Sequence, residues 1–176
     1  MKILGIDPGT ATTGYGLINF INNTFEVLDF GLIETEKETL PSIRLLSIFN
    51  QMKSLIKKNK PDIISIERLF FASNAKTAMR VGQAQGVMLL CAASNKVNII
   101  EYAPASIKKI ITGDGRADKK VIQQKLRKLL GAKVRSRPFK KTHFDNAADA
   151  LAVAVCHAFN IMKTEDIDKK GGENND

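Results

Sequence analysis

The sequence predicts an α/β fold in which a five-stranded mixed sheet is flanked by helices. Two observations support this prediction. The first 33 residues contain three apolar, strand-like segments joined by short turns, which is the pattern of an antiparallel meander. Beyond them, segments with helical periodicity alternate with two further apolar strand-like segments, which is typical of α/β crossovers. A meander followed by crossovers gives a mixed sheet with helices on its faces.

The predicted strands are short apolar runs bounded by turn-forming residues. They span residues 2–7, 14–20, 24–33, 62–67 and 97–102. Turns are predicted at Gly9 to Thr12 and at Asn22-Asn23, because Gly and Asn tolerate the backbone angles that turns require.

The predicted helices follow from apolar residues at intervals of three and four. They span residues 41–58, where Pro41 marks the start, then 74–94, 105–111, 118–130 and 144–162. Residues 131–142 are predicted to form a loop. The chain is thus predicted to hold one domain over 1–162, followed by a polar, disordered tail over 163–176.

The charge of the chain is concentrated in one segment. The 176 residues carry a net charge of +9, and residues 105–142 contain thirteen Lys and Arg against Asp114 and Asp118, a local net charge of +11. The rest of the chain is therefore slightly acidic. Such an asymmetry favours a polyanionic partner, above all nucleic acid, over a generally basic surface.

Cysteine content and hydropathy indicate a cytoplasmic protein. Cys91 and Cys156 each lie in an apolar helical pattern, so both are predicted to be buried, reduced thiols. The sequence shows no metal-binding spacing of Cys and His, and no apolar run of signal-peptide or membrane-spanning type.

Two acidic residues end apolar strands. Asp7 follows Lys2-Ile3-Leu4-Gly5-Ile6, and Glu67 follows Ile63-Ile64-Ser65-Ile66. Buried strands rarely carry unpaired charges, so these carboxylates are expected to meet at neighbouring strand ends. A divalent cation would relieve their repulsion, and hard oxygen ligands suit Mg²⁺ or Mn²⁺.

A third acid lies in the last predicted helix. Asp149 is surrounded by alanines, which would let this helix approach the sheet closely and bring Asp149 to the ends of the first and fourth strands. Asp145 and Asn146 can share its helix face. The alternative is that Asp149 is a solvated surface charge or a partner of the helix dipole.

Four segments of the chain resemble motifs of the bacterial Holliday-junction resolvase family RuvC. They are Gly5-Ile6-Asp7-Pro8-Gly9-Thr10 with Thr13-Gly14-Tyr15-Gly16, Ser65-Ile66-Glu67-Arg68-Leu69-Phe70, Gly82-Gln83-Ala84-Gln85-Gly86-Val87, and Ala147-Ala148-Asp149-Ala150-Leu151-Ala152. The resemblance spans about residues 1–160, with the motifs in the family's order. It implies a ribonuclease H-like fold, a homodimer, and Mg²⁺-dependent symmetric nicking of four-way DNA junctions in recombination and repair.

By this resemblance Asp7, Glu67 and Asp149 match the family's metal-binding acids. The fourth position of the motif, three residues before the last Asp, is usually Asp or His, and here it is Asn146. Asn offers a neutral oxygen in place of a carboxylate. Either the native chain works with Asn146, or Asp145 replaces it, or an Asp has been changed deliberately. The resulting expectation is a protein that binds junctions well and cleaves them poorly.

The mechanism implied is metal-assisted hydrolysis. Two cations about 3.5–4 Å apart would flank the scissile phosphate, one activating water and one stabilising the leaving oxygen. Asp7 would bridge both ions, and Glu67 and Asp149 would each hold one. Lys119 matches a family lysine near the scissile phosphate, although a solvated surface lysine is an equal alternative.

The resemblance and the charge pattern also indicate a DNA-binding surface. Phe70 is expected to stack on an unpaired base and Phe71 to be buried. His143 is a weak candidate for proton transfer, and His157 is expected to be structural or exposed. The predicted DNA-binding residues are Phe70, Asn74, Lys76, Arg80, Lys108, Lys109, Arg116, Lys119 and Lys120.

The helix over 74–94 is the dimer interface that the resemblance implies, and packing of this helix against its own sheet is the alternative. Its residues Ala78, Val81, Gly82, Gln85, Gly86 and Leu89 lie close to one face, and glycines allow helices to approach closely. Symmetric cutting of two strands also requires two sites related by a two-fold axis. The resemblance further suggests cooperation with a branch-migration helicase complex.

Two other functions compete with this one. Asp7-Pro8-Gly9-Thr10 also occurs in actin-like ATPases, but that fold needs a repeated second domain and an adenosine motif, and 176 residues hold neither. A protein that binds junctions without cutting them is the other alternative, and Asn146 is the residue that favours it.

Overall fold

The structure, a computed structural model, describes residues 1–69, 75–131 and 141–172, without the side chains of 141–144 and 165–172. The strands are β1 (Lys2–Asp7), β2 (Thr12–Ile21), β3 (Thr24–Glu34), β4 (Ile63–Glu67) and β5 (Asn98–Tyr102). The helices are α1 (Pro41–Asn59), α2 (Ala75–Ser94), α3 (Pro104–Thr112), α4 (Lys119–Leu130) and α5 (Lys141–Gly172).

The five strands form one mixed sheet in the order β3-β2-β1-β4-β5. The first three pair antiparallel, and β4 runs parallel to both β1 and β5. The parallel connections pass through α1 and α2, as the alternation of helix and strand in the sequence requires. The predicted five-stranded mixed sheet is therefore confirmed.

The β2–β3 connection is a two-residue hairpin turn. Asn22 and Asn23 have φ angles of 48° and 60°, so both adopt the left-handed conformation that a tight hairpin of this hand demands. Asn reaches this region more easily than most residues, which explains why the Asn-Asn pair marks the turn in the sequence.

The side chains of the sheet alternate between two hydrophobic cores. On one face Leu4, Ile6 and Ile66 pack with α1 and α2. On the other face Ile3 and Ile18 pack with α3, α4 and α5. Because successive side chains of a strand point to opposite faces, Gly5 and Asp7 belong to the α5 side of the sheet.

Helix α5 lies directly on the backbone of the sheet. A Cβ atom on Gly5 would overlap the carbonyl oxygen of Ala150 and lie 2.7 Å from the backbone nitrogen of Ala154. A Cβ atom on Gly14 would overlap the carbonyl oxygen of Asn146. The Ser65 hydroxyl adds a buried hydrogen bond of 3.2 Å to the carbonyl of Val153. This contact fixes α5 relative to β1, β2 and β4.

The bounds of α5 correct the sequence prediction. The helix starts at Lys141 and not at residue 144, and it continues beyond residue 162, its predicted end, to Gly172. Extending an existing helix adds one backbone hydrogen bond for each residue that is fixed, so a polar sequence can continue it. Residues 132–140 and 173–176 lie outside the described residues. No helix within the described ranges is both long and apolar enough to cross a membrane.

Candidate active site

Asp7 and Glu67 leave the sheet side by side. The parallel register of β1 and β4 pairs Ile6 with Ile66, and each acid is the next residue of its strand. Neighbouring strands are about 4.8 Å apart. The two carboxylates therefore emerge at the same edge, on the α5 face of the sheet.

Asp149 joins them from α5. Asn146 of this helix lies over Gly14, which is the register partner of Asp7, and Ala150 lies over Gly5. Asp149 therefore lies level with the ends of β1 and β4 that carry Asp7 and Glu67. Small residues on both surfaces make this possible, because any side chain at Gly5 or Gly14 would lift the helix away.

The three acids line one cavity of about 290 Å³. Its wall also contains two lysines and an apolar side formed by α3, α4 and α5; the lining residues are Asp7, Glu67, Pro104, Ile107, Lys108, Lys119, Ile122, Asp149 and Ala152. A second cavity of about 230 Å³ shares Asp7 and Glu67 and extends past Pro8, Arg68 and Leu69. The acids predicted from the sequence are therefore brought together at a concave surface.

The carboxylates are held in an environment that disfavours their charge. Burial, together with the charges of Glu67 and Asp149, raises the pKa of Asp7 to about 7. Burial and the charge of Asp149 raise the pKa of Glu67. Burial also raises the pKa of Asp149, although Lys119 opposes the shift. The cluster is short of positive charge, which is the condition a divalent cation relieves.

Lys119 compensates part of this charge. Its Nζ lies 2.6 Å from Oδ2 of Asp149, with the side chains 49% and 28% exposed. Desolvation is the largest influence on the pKa of Lys119 and lowers it, but Asp149, Asp145 and Asp7 outweigh it and raise the pKa. Among the described residues no three His, Cys, Asp or Glu side chains converge tightly enough to hold a metal as they stand.

Asn146 is the fourth residue of the predicted metal-binding set. It lies one helical turn before Asp149, but it does not line the acid cavity. Asp145 does not line it either, because its Oδ1 accepts a 2.9 Å hydrogen bond from Gln123 of α4. Its charge still raises the pKa of Asp149. The side chain of His143 lies outside the described residues.

The other predicted DNA-binding residues are spread over the surface. Lys108 lines the acid cavity, where its charge lowers the pKa of Glu67. Arg80 lies in a different cavity, described below. Lys76, Lys109, Arg116 and Lys120 are exposed. Phe70, Phe71 and Asn74 lie outside the described residues.

Both cysteines are buried, free thiols, as predicted. His157 is buried, with its Nδ1 2.7 Å from the Tyr102 hydroxyl, so it is structural rather than exposed.

Gln85 is a residue whose role the sequence prediction missed. It was assigned to a dimer face, but it is 7% exposed and points into its own chain. Its Oε1 accepts a hydrogen bond of 3.3 Å from the backbone N–H of Leu69, and its Nε2 donates one of 2.8 Å to Glu101. Gln85 therefore ties the segment that follows Glu67 to α2 and β5. A buried glutamine within a Gly-Gln-Ala-Gln-Gly motif carries no sequence signal that separates it from its exposed neighbour Gln83.

We predict that Gln85→Leu destabilises the protein by about 1–3 kcal/mol, because it leaves the half-buried Leu69 N–H without an acceptor. Gln83→Leu, two residues earlier and exposed, should change stability by less than about 0.5 kcal/mol. Urea unfolding of both variants without DNA is the measurement. Equal effects would show that the Gln85 bonds do not hold the segment after Glu67.

A mixed sheet with carboxylates at the adjacent ends of β1 and β4, and a third on a helix packed across the sheet, defines a ribonuclease H-like nuclease. The sequence model of the family Crossover junction endodeoxyribonuclease RuvC matches residues 3–157. The chain belongs to this family.

Similar proteins agree in sequence and in structure. The RuvC of Caldicellulosiruptor saccharolyticus is 46% identical over 158 residues, which cover 89% of this chain and 92% of that protein. The RuvC of Treponema denticola is 48% identical over 87% of this chain and 83% of its own. The structure of Thermus thermophilus RuvC in complex with a Holliday junction substrate superposes with a TM-score of 0.81, at 28% identity, over 92% of this chain and 94% of that one.

Proposed function

We propose that this chain is an endonuclease that resolves four-way DNA junctions by cutting two strands symmetrically, in recombination and repair. The observation that supports this best is the cavity in which Asp7, Glu67 and Asp149 meet, set in a chain of the RuvC family. The T. thermophilus relative was solved with a Holliday junction substrate. The basic segment from α3 to α5 supplies the positive charge that a DNA backbone requires.

The residues of the cavity suit Mg²⁺, or Mn²⁺ in its place. Three carboxylates supply hard oxygen ligands, and burial, followed by the charges of Glu67 and Asp149, raises the pKa of Asp7, so a cation beside it would be stabilising. We propose that Asp7, Glu67 and Asp149 hold two ions, with Asn146 adding a neutral oxygen one helical turn before Asp149. When bound, these ions would supply an activated water and stabilise charge on the leaving oxygen.

The chain's own lysines would position the DNA. Lys108 and Lys119 stand on the wall of the acid cavity and offset the repulsion between its carboxylates and a phosphodiester. If Asp149 held a metal ion, the ammonium of Lys119 would be free to contact the scissile phosphate. Exposed Lys76, Lys109, Arg116 and Lys120 would contact backbone phosphates farther away, and Phe70 would stack on an unpaired base.

We infer a homodimer that assembles through the exposed side of α2. Met79 and Leu90 are 70% and 62% exposed, and Gly86 lies between them on the same side of the helix. An apolar stripe of this kind is typical of a contact surface. The partners would be junction DNA, a second copy of the chain and a branch-migration helicase complex, and the place of action would be the cytoplasm.

The test of this function is junction nicking with Mg²⁺ and with Mn²⁺, comparing the chain with Asn146→Asp. We expect both to nick a four-way junction on opposing strands. The Asp variant should reach half its maximal rate at a lower metal concentration, because a carboxylate adds charge to the metal site.

Binding to the junction and to linear duplex in EDTA is the control. If only Asn146→Asp cuts, the chain binds junctions without resolving them. If neither protein cuts, or if junction and duplex bind equally well, the proposed function is wrong.

A further inference from the structure

A third cavity, of about 210 Å³ and separate from the two that contain the acids, lies beyond the turn that follows Asp7. Its polar rim comes from the β1–β2 turn, the loop before α1, α1 itself and α2; the rim residues are Thr10, Lys37, Thr39, Arg44, Arg80 and Gln83. The floor is apolar and formed by α1. Asp7 and Pro8 line the acid cavities, whereas Thr10 lines this one, so the turn forms a wall between them.

The rim carries three positive charges and no negative one. Within residues 1–69, 75–131 and 141–172, ion pairs with carboxylates are made by Lys58 and Lys119 and by none of the three rim cations. Glu36 and Glu38 flank Lys37 in the sequence but do not line the cavity. The cavity therefore attracts an anion.

Arg44 is held in place before any ligand arrives. Its Nε donates a 3.0 Å hydrogen bond to the Thr35 hydroxyl, and its Nη2 donates a 2.8 Å bond to the carbonyl of Thr10. Both acceptors are neutral, so the charge of the half-buried guanidinium is not compensated. The group has five N–H donors, and most of them remain for a ligand. A fixed guanidinium is well suited to bind phosphate oxygens.

The size of the cavity selects the kind of anion. Pockets for whole small molecules usually measure about 300–1,000 Å³, so this one is small for a nucleotide. It is large enough for one phosphate group with a few waters, each of which takes about 30 Å³. The Thr10 hydroxyl adds a neutral donor at the rim, whereas the Thr39 hydroxyl already donates a 2.8 Å hydrogen bond to the carbonyl of Glu36.

The distance to the acid cavity indicates where such a phosphate would come from. Thr10 is three residues from Asp7, so the two Cα atoms are at most about 11 Å apart. With a rise of about 3.4 Å for each nucleotide of a strand, a phosphate here lies a few nucleotides from one at the acids.

We propose that this cavity binds one backbone phosphate of the DNA strand that is cut, a few nucleotides from the scissile bond. The proposal rests on the proposed nuclease function. Arg44 would then connect the bound phosphate to the Thr10 carbonyl, and so to the turn that directly follows Asp7.

The test compares Lys37→Gln/Arg80→Gln with a control of equal charge loss, Lys57→Gln/Lys96→Gln. Lys57 lies near the end of α1, and Lys96 lies between α2 and β5. Both are near the starts of the parallel strands, whereas the acids lie at the ends of the strands. Junction affinity in EDTA is measured between 50 and 200 mM salt. Loss of one phosphate contact should lower the slope of log affinity against log salt by about 0.9, and the control should leave the slope unchanged. Equal slopes for wild type and the pocket variant would overturn the proposal.

Neutral methylphosphonate linkages, placed singly near the scissile bond, locate the contact. One linkage should weaken wild-type binding, and the same linkage should have a smaller effect in both Lys37→Gln and Arg80→Gln, because each variant has lost one of the three cations. Different linkages for the two variants would show separate surface contacts and no shared pocket.

If wild type does not prefer junctions, the nuclease proposal fails, and inorganic phosphate tests the pocket alone. Phosphate should then shift the amide NMR signals of Thr10 and Thr39 in wild type but not in the pocket variant. Unchanged wild-type signals would refute the pocket.

Discussion

Replacing Asp7 by Asn is expected to abolish nicking and to make the metal-free protein more stable at pH 8. Losing a metal ligand removes several kcal/mol of transition-state stabilisation, which corresponds to about a thousandfold in rate or more. The gain in stability comes from the pKa of Asp7, which burial and neighbouring acids raise from 3.8 to about 7 in the folded state.

The sign of the pH effect follows from proton binding. The folded state holds the proton of Asp7 more tightly than the unfolded state does, so the protein loses stability as the pH rises from about 4 to about 7. At pH 8 the ionised carboxylate destabilises the fold by on the order of 4 kcal/mol, at about 1.4 kcal/mol for each pKa unit. Asn carries no charge, so Asp7→Asn should increase the free energy of unfolding at pH 8 by about 1–3 kcal/mol, which is part of this destabilisation.

Thermal unfolding in EDTA at pH 4.5 and pH 8 measures this effect. The Tm of Asp7→Asn should exceed that of wild type by roughly 3–10 °C at pH 8 and by little at pH 4.5. Glu36→Gln, in an exposed loop, is the control for loss of one negative charge. A lower Tm for Asp7→Asn at pH 8 would mean that Asp7 stabilises the fold and is not held in an unfavourable environment.

Gly5→Ala is expected to destabilise the protein by about 3 kcal/mol or more. The added methyl group would overlap the Ala150 carbonyl and lie 2.7 Å from the Ala154 nitrogen and 2.9 Å from its Cβ. None of these atoms belongs to a flexible side chain, so α5 as a whole must move. Overpacking of a well-packed interior typically lowers the free energy of unfolding by about 1–3 kcal/mol. Because the neighbours of Gly5 are backbone atoms and a Cβ, which cannot move aside, we expect a loss at the upper end of this range or above it.

Gly86→Ala is the matched control, because a Cβ at that exposed helical position meets no atom within 4 Å. It should leave the stability of the monomer unchanged or raise it by up to about 1 kcal/mol. Urea unfolding at one low protein concentration measures both variants. Folded Gly5→Ala should also bind Mg²⁺ more weakly, since Asp149 moves with α5. Wild-type stability of Gly5→Ala would show that α5 does not rest on this glycine.

The sheet was predictable because its signals are local. Apolar runs, the Asn22-Asn23 turn and the acids at strand ends are all properties of short segments, and they identified Asp7 and Glu67. Asp149 followed from the alanines around it, since small residues at helical spacing imply close packing.

Other parts of the site depend on contacts between distant segments. The pairing of Lys119 with Asp149 joins α4 to α5, and the inward turn of Gln85 depends on the position of Leu69. The cationic cavity combines a loop, two helices and the turn after Asp7. Nothing in the local pattern around Lys37, Arg44 or Arg80 indicates that they meet.

The contact between α5 and the glycines of β1 and β2 also determines when the protein can cut DNA during its synthesis. Asp7 and Glu67 leave the ribosome early, but Asp149 reaches them only after the last helix has been made and has docked on the first strands. A nascent or prematurely terminated chain therefore lacks a complete set of acids. The three acids therefore come together only in chains translated through α5.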